Sequence, residues 1–247
     1  MKVGVFDSGI GGLTVVKSLL EHNLFEEIIY YGDTARVPYG SKDKNTIIRY
    51  GIEAVEFFKN FDIDLMIVAC NSVSAYGLEE MREVSDVPVV GVVEAGVLAT
   101  VNALKNNNAK ILILGTKATI ASKAYESSLT DKGFYNLVPK ATPLFVPLVE
   151  EGVFNGKILD AVLESYFETM EDPDAIILGC THFPLIAKEI QSCFSNTPLL
   201  VHSGDAIVEY LEKNHQIKPS LKQPVLKFFA SENPVALKSV AQKWLAL

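Results

Sequence analysis

The sequence predicts an α/β protein of two similar lobes, each a mainly parallel sheet flanked by helices, with its site in the cleft between them. Three observations carry this. Short apolar runs alternate with amphipathic stretches along the 247 residues, the pattern that strand–helix–strand units impose. The runs are continuously apolar, as strands buried on both faces must be. The pattern also restarts: a strand leads into a small polar turn at Asp7 and again at Thr116, and a strand stops at a cysteine at Cys70 and again at Cys180. Residues 1–92 with 205–247 are assigned to one lobe and 93–204 to the other.

Lys2 to Phe6 reads as a buried strand, and Asp7 to Gly12 as a tight turn opening a helix whose apolar face is Leu13, Val16, Leu19 and Leu20. Glu27 to Tyr31 is a second strand. A loop from Asp33 to Ser41 follows, then a long amphipathic helix marked by Ile47, Tyr50, Gly51, Ala54, Phe57 and Phe58. Leu65 to Ala69 is read as the central strand, delivering Cys70, and Asn71 or Ser72 as the cap of a helix running to about Val84. Val87 to Val93 reads as a strand and Ala95 to Leu104 as a helix; after Asn106-Asn107-Asn108, Ile111 to Leu114 is a strand and a helix starts near Ile120. Leu144 to Val149 is a strand candidate interrupted by Pro147, and Ile158, Val162, Tyr166 and Met170 stripe one face of a helix. Asp174 to Leu178 delivers Cys180, followed by a helix over Phe183 to Phe194 in which Cys193 is expected to pack inward. Leu199 to Val201, a helix opening at His202-Ser203-Gly204-Asp205, the strand Val225 to Phe229 and a helix over Pro234 to Ala246 close the chain.

A hydrophobic fraction of 49% with 21% charged residues describes an ordinary globular protein. The net charge of −8 argues against nucleic acid or an anionic membrane as main partner, while leaving room for a local anion site. No apolar run reaches the ~18 residues of a membrane span, and no signal-peptide pattern precedes the first strand, so a cytoplasmic location is expected. Three cysteines, with no Cys-x-x-Cys pair, make no disulfide framework; in a reducing compartment Cys70 and Cys180 stay thiols.

In open α/β sheets ligands bind at the carboxyl ends of strands, and both cysteines stand there. A thiol becomes an effective base when partly ionised, which a helix N-terminus favours. Against this, cysteine is also a common buried apolar residue. Asp7 ends the first strand and is placed either beside Cys70 or as a cap on the next helix; His182 lies two residues from Cys180. Gly9, Gly11 and Gly12 allow backbone N–H groups to gather around an anion, with Ser8 adding a hydroxyl. The same turn, with Asp33 at the second strand end, has a dinucleotide-binding reading, weakened by Thr14 in place of the third glycine; no Walker lysine is present. Asn71, Ser72, Thr116, Thr119 and Thr181 supply amide and hydroxyl groups suited to a small polar ligand. Cys180-x-His182 with Cys70 matches no standard zinc spacing, and no metal is expected.

Six stretches then resemble the glutamate racemases of the aspartate/glutamate racemase family. They are Phe6 to Gly12, Val37-Pro38-Tyr39-Gly40, Ala69-Cys70-Asn71-Ser72, Leu114 to Ile120, Glu150-Glu151-Gly152 and Gly179 to Leu185, in the family's order. The resemblance implies a cofactor-independent enzyme, often dimeric, that interconverts L- and D-glutamate and supplies D-glutamate for peptidoglycan, hence for cell-wall biogenesis and cell shape. It implies Cys70 and Cys180 as acid/base residues, Asp7 and His182 as their respective assistants, and Glu150 in the second half's polar network. Asp7, Ser8, Pro38, Tyr39, Gly40, Asn71, Ser72, Thr116, Thr119, Thr181 and His182 fall at substrate-contact positions. Ser72 stands where the family commonly has threonine, keeping the hydroxyl. The alternatives are a racemase for aspartate or another acidic amino acid, against which His182 is the sequence argument, and a non-catalytic nucleotide or amino-acid binding module.

Overall fold

The computed structural model describes residues 1–245. Its strands are β1 (Lys2–Asp7), β2 (Glu27–Gly32), β3 (Leu65–Val68), β4 (Val89–Gly91), β5 (Ile111–Gly115), β6 (Leu137–Ala141), β7 (Ala175–Gly179), β8 (Leu199–His202) and β9 (Val225–Ala230). The α-helices are α1 (Leu13–Glu21), α2 (Lys44–Phe58), α3 (Asn71–Tyr76), α4 (Leu78–Val84), α5 (Val92–Ala103), α6 (Lys117–Ser122), α7 (Ala124–Asp131), α8 (Phe145–Glu150), α9 (Lys157–Phe167), α10 (Ala187–Gln191), α11 (Ser203–Asn214) and α12 (Pro234–Leu245). Of the closing helix expected over Pro234 to Ala246, Ala246 lies outside the described residues.

The strands form two wholly parallel sheets, ordered β4-β3-β1-β2-β9 and β6-β5-β7-β8. The two-lobe α/β fold read from the sequence is therefore present, with the last strand and α12 returning to the first sheet. In the first sheet the chain runs from β1 to β2 on one side, then crosses to β3 on the other. The order thus reverses between β1 and β3, whose registered ends, Phe6 opposite Val68, bring Asp7 beside the segment carrying Cys70. The second sheet reverses between β5 and β7, where Gly115 stands opposite Gly179 and the chain continues to Thr116 and Cys180. Each cysteine leaves its sheet at the topological switch point, where parallel sheets open a crevice for ligands.

One apolar core runs between the sheets, through Val3 and Val5, Leu13 and Val16 of α1, Val92 to Val97 of α5, Ile111 and Ile113, Ile177 and Ile207 of α11. A second fills the outer face of the first sheet under α2, and a third the outer face of the second sheet under α8 and α9.

Several local readings are corrected. The central strand of the first sheet is β1, not the Leu65 segment. The helix after Cys70 breaks at Gly77, a poor helix former, and its N-cap is Cys70 itself rather than Asn71 or Ser72. The apolar run from Val87 to Val93 divides into a three-residue strand and the start of α5, because α5 is buried on several sides between the lobes and a continuous apolar run is shared by buried strands and buried helices. Leu144 to Val149 is helical: Pro147 is the third residue of α8, where its missing N–H has no intrahelical partner to lose. The strand of that region is β6, on the sheet edge, where Pro139 is tolerated. On α9 the buried stripe is Leu159, Leu163 and Phe167, one position on from the expected one, with Ile158 64% exposed. Residues 183–186 form a 3-10 turn before α10, which ends at Gln191, so Cys193 lies beyond the helix and is exposed.

Candidate active site

Cys70 and Cys180 both line one cavity of about 140 Å³. Ser8, Asn71 and Ser72 join Cys70 on the first-lobe wall, and Thr181, His182 and Glu150 join Cys180 on the other. Pro38, Tyr39 and Gly40 form a third wall, closed against Thr116: a Cβ on Gly40 would lie 2.5 Å from Thr116 Cβ, so only glycine lets the loop approach this closely. Both thiols are 6% exposed.

On the first-lobe side, the turn after β1 is tied to its own strand. Gly9 N–H donates to Asp7 Oδ2 at 3.0 Å, and Tyr30 Oη donates to Gly9 O at 2.7 Å. This holds Ser8 so that the Cys70 thiol reaches Ser8 Oγ at 3.5 Å. Burial, and next the charge of Asp7, push the Cys70 thiol up to about 12, against the opposing pull of Ser8 and the Val73 N–H. The activation expected from the helix end is therefore outweighed, and at neutral pH Cys70 carries its proton. Asp7 is itself completely buried; burial raises its pKa, with the positive charge of His182 and bonds from Gly9, Gly12 and Thr181 acting the other way.

Across the cavity, Cys180 Sγ lies 3.7 Å from His182 Nδ1, and His182 Nε2 lies 3.1 Å from Glu150 Oε1. Burial alone lowers the imidazole's pKa, but the hydrogen bonds and charges of Cys180 and Glu150 more than offset it and hold His182 protonated up to about 10. An imidazolium here presents one N–H to the sulfur and the other to the carboxylate. The two sides thus differ: a protonated thiol beside a buried carboxyl, and a sulfur beside a cation.

The lobes are bonded to each other around the cavity. Thr14 Oγ1 donates to Thr181 O at 2.8 Å, and Thr181 Oγ1 donates to Asp7 Oδ1 at 3.4 Å. Ser72 Oγ lies 2.9 Å from Thr116 Oγ1 and 3.3 Å from Thr119 Oγ1. Of the residues singled out in the sequence, Asp7 and Thr119 stand behind the wall, the turn glycines Gly9, Gly11 and Gly12 are not on the lining, and both cysteines, Ser8, Pro38, Tyr39, Gly40, Asn71, Ser72, Thr116, Glu150, Thr181 and His182 line it. Sequence reading missed Val146 and Pro147 on the lining, since they sit in the segment misread as a strand, Pro143 just ahead of that segment, and Val37, Ser41 and Lys117, which flank or fall inside the quoted motifs. Asp33, the carboxylate of the dinucleotide reading, is fully buried and taken by Arg36 (2.6 Å) and the Tyr39 hydroxyl, so it supports the Tyr39 wall instead of facing a ribose. Among the described residues no group of three or more His, Cys, Asp or Glu side chains is arranged to hold a metal, and no helix is long and apolar enough to cross a membrane.

A family profile described as Asp/Glu/Hydantoin racemase matches residues 14–211. The chain belongs to the Asp/Glu/hydantoin racemase family. Within that racemase family it is 60% identical over 245 residues to the glutamate racemase of a Nitratiruptor species, covering 99% of this chain and 96% of the relative. It shares a TM-score of 0.98 and 51% identity with the crystal structure of glutamate racemase from Campylobacter jejuni subsp. jejuni, covering 100% of this chain and 99% of that one. The Francisella tularensis glutamate racemase, solved in complex with D-glutamate, matches with a TM-score of 0.87 at 33% identity, covering 100% of this chain and 94% of that one. The racemase class expected from the sequence, an isomerase, is thus the class of its relatives.

Proposed function

We propose that the protein interconverts L- and D-glutamate by proton transfer at Cα between two thiols on opposite faces of the substrate. The observation that carries this is the pair of buried cysteines from separate sheets facing one small cavity. In the step, the Cys180 thiolate, paired with the His182 imidazolium, removes the Cα proton and becomes a thiol. The electron pair left on Cα takes the proton of the Cys70 thiol on the other face, and Cys70 becomes the thiolate. Exchange with solvent protons returns the pair to its starting state; the reverse reaction uses the two thiols in exchanged roles.

Inverting a stereocentre from two fixed positions spares the substrate any turn between half-steps, which keeps the reacting atoms in place. Asp7 and His182 serve as the partners of Cys70 and Cys180, and Glu150 supports His182. The hydroxyl and amide groups of Ser8, Asn71, Ser72, Thr116 and Thr181, with the backbone around Tyr39 and Gly40, bind the substrate's carboxylates and amine, and Thr119 backs the Ser72 and Thr116 hydroxyls from behind the wall. The lobes are assigned as 1–92 with 205–247, and 93–204. Identity to glutamate racemases over nearly the whole chain favours glutamate over aspartate. The same reading has the enzyme acting in the cytoplasm as a homodimer, without a cofactor, and feeding D-glutamate to peptidoglycan synthesis.

Circular dichroism of L-glutamate with purified enzyme and no added cofactor tests the reading: the signal decays to zero, and aspartate at equal enzyme turns over far more slowly. Cys70→Ala and Cys180→Ala each remove a group worth about 10²–10⁴-fold while the protein stays folded. Wild-type turnover by either variant refutes the two-thiol step.

A further inference from the structure

Tyr125 belongs to none of the motifs above and does not line the cavity. It is 3% exposed on α7, just past Lys123, whose left-handed φ of 58° separates α6 from α7. Its hydroxyl donates to Asn71 Oδ1 at 2.7 Å, and the Asn71 amide in turn donates to Ser203 Oγ at 3.1 Å, with all three side chains buried. Both ends of the Asn71 amide are thereby committed, which leaves it one orientation. The ring is held as closely as the hydroxyl. A Cβ on Gly179 would lie 3.2 Å from Tyr125 Cε2, and one on Gly96 would lie 3.2 Å from Cε1 and from the hydroxyl oxygen. Tyr125 therefore rests on the residue just before Cys180 and grips the residue just after Cys70. Burial, with the charge of Cys180 adding to it, raises the phenol's pKa and keeps the hydroxyl a donor.

We propose that Tyr125 is a positioning residue that sets the spacing between the two cysteine-bearing strand ends, through Asn71 on one side and Gly179 on the other. The proposal rests on the two-thiol reading. When two sulfurs must reach opposite faces of one carbon, an error in their separation is not absorbed by moving the substrate, because approach to one is retreat from the other. A strut between the strand ends acts on both half-steps together.

Tyr125→Phe keeps the ring against Gly96 and Gly179 and removes the bond to Asn71. Its kcat is expected to fall about tenfold with KM within about twofold of wild type, the signature of lost alignment rather than lost binding. In an Asn71→Ala background the same change is expected to alter kcat by less than about twofold, because its route of action is already gone. A tyrosine with a purely structural role would lower stability in both backgrounds and leave the kcat of the folded enzyme unchanged. Unaltered kcat in Tyr125→Phe, or losses that multiply in the double variant, overturn the proposal. Wild-type racemisation is measured alongside: an inactive wild type overturns the two-thiol reading and this one with it, whereas an active wild type with an unaffected Tyr125→Phe overturns this one alone.

Discussion

Replacing Gly11 by alanine adds one methyl group where the two lobes meet. Built on the backbone, its Cβ would lie 2.3 Å from Thr181 Oγ1 and 2.6 Å from His182 Cε1 and Nδ1. Ordinary contact starts at 3.4 Å, so the Cys180 segment must retreat by about 1 Å. Rotation gives no escape, since Thr181 is 3% and His182 5% exposed and Thr181 is bonded to Asp7 and, through its carbonyl, to Thr14. Gly11 does not have a positive φ, so the backbone accepts alanine and the clash alone acts. The displaced atoms include His182 Nδ1, the partner of the Cys180 sulfur. A misplacement of about 1 Å costs on the order of 10²-fold in rate, and overpacking of this kind costs about 1–3 kcal/mol of stability. Racemisation followed by circular dichroism at saturating substrate, with a thermal melt as fold control, measures both. Gly77→Ala is the comparison: its nearest neighbour would be at 3.4 Å, and its rate should be that of wild type. A folded Gly11→Ala enzyme with wild-type turnover refutes the reasoning.

Two further outcomes concern protonation. Glu150→Gln removes a charge that helps raise His182 from its ordinary 6.5 to about 10, so its imidazolium is lost at lower pH and the alkaline limb of the rate profile moves toward acid. The stability this raised pKa contributes is fully present below about 6.5 and disappears as pH rises through about 10; in the variant that loss begins earlier, and an NMR titration of the imidazole that matches wild type contradicts the assignment. Asp7→Asn lowers the Cys70 pKa from about 12 without returning it to 9.0, because burial, the larger cause, remains. Alkylation rate against pH in a Cys180→Ser, Cys193→Ser background reads this directly, and an unmoved or raised midpoint counts against it.

The strand ends at Cys70 and Cys180 were legible because they are local signals: an apolar run, then a cysteine, then small polar residues. Their meeting at one cavity follows from the strand order, which the alternating pattern implies without specifying. The protonation of Cys70 was not legible, since burial and Asp7 set it, and both arise only when β1 and β3 pair. Pro147 misled because a proline looks the same in a broken strand as in the first turn of a helix. The stripe on α9 was misread by one position because Ile158 and Leu159 each begin an apolar series of the same period, and the sequence does not say which faces the sheet. Tyr125 gave no signal at all: its partner Asn71 is 54 positions away, and its contacts with Gly96 and Gly179 exist only after the lobes are assembled.

The central claim is that separate thiols serve the two faces of Cα. Early turnover of L-glutamate in D₂O, with product and recovered substrate separated by chirality and weighed by mass spectrometry, addresses it most directly. Two thiols predict D-glutamate carrying deuterium at Cα from the first turnovers, while the recovered L-glutamate remains largely unlabelled. D-glutamate that retains the substrate's own proton would mean that a single base carries it from face to face, and the account given for Cys70 and Cys180 would be wrong.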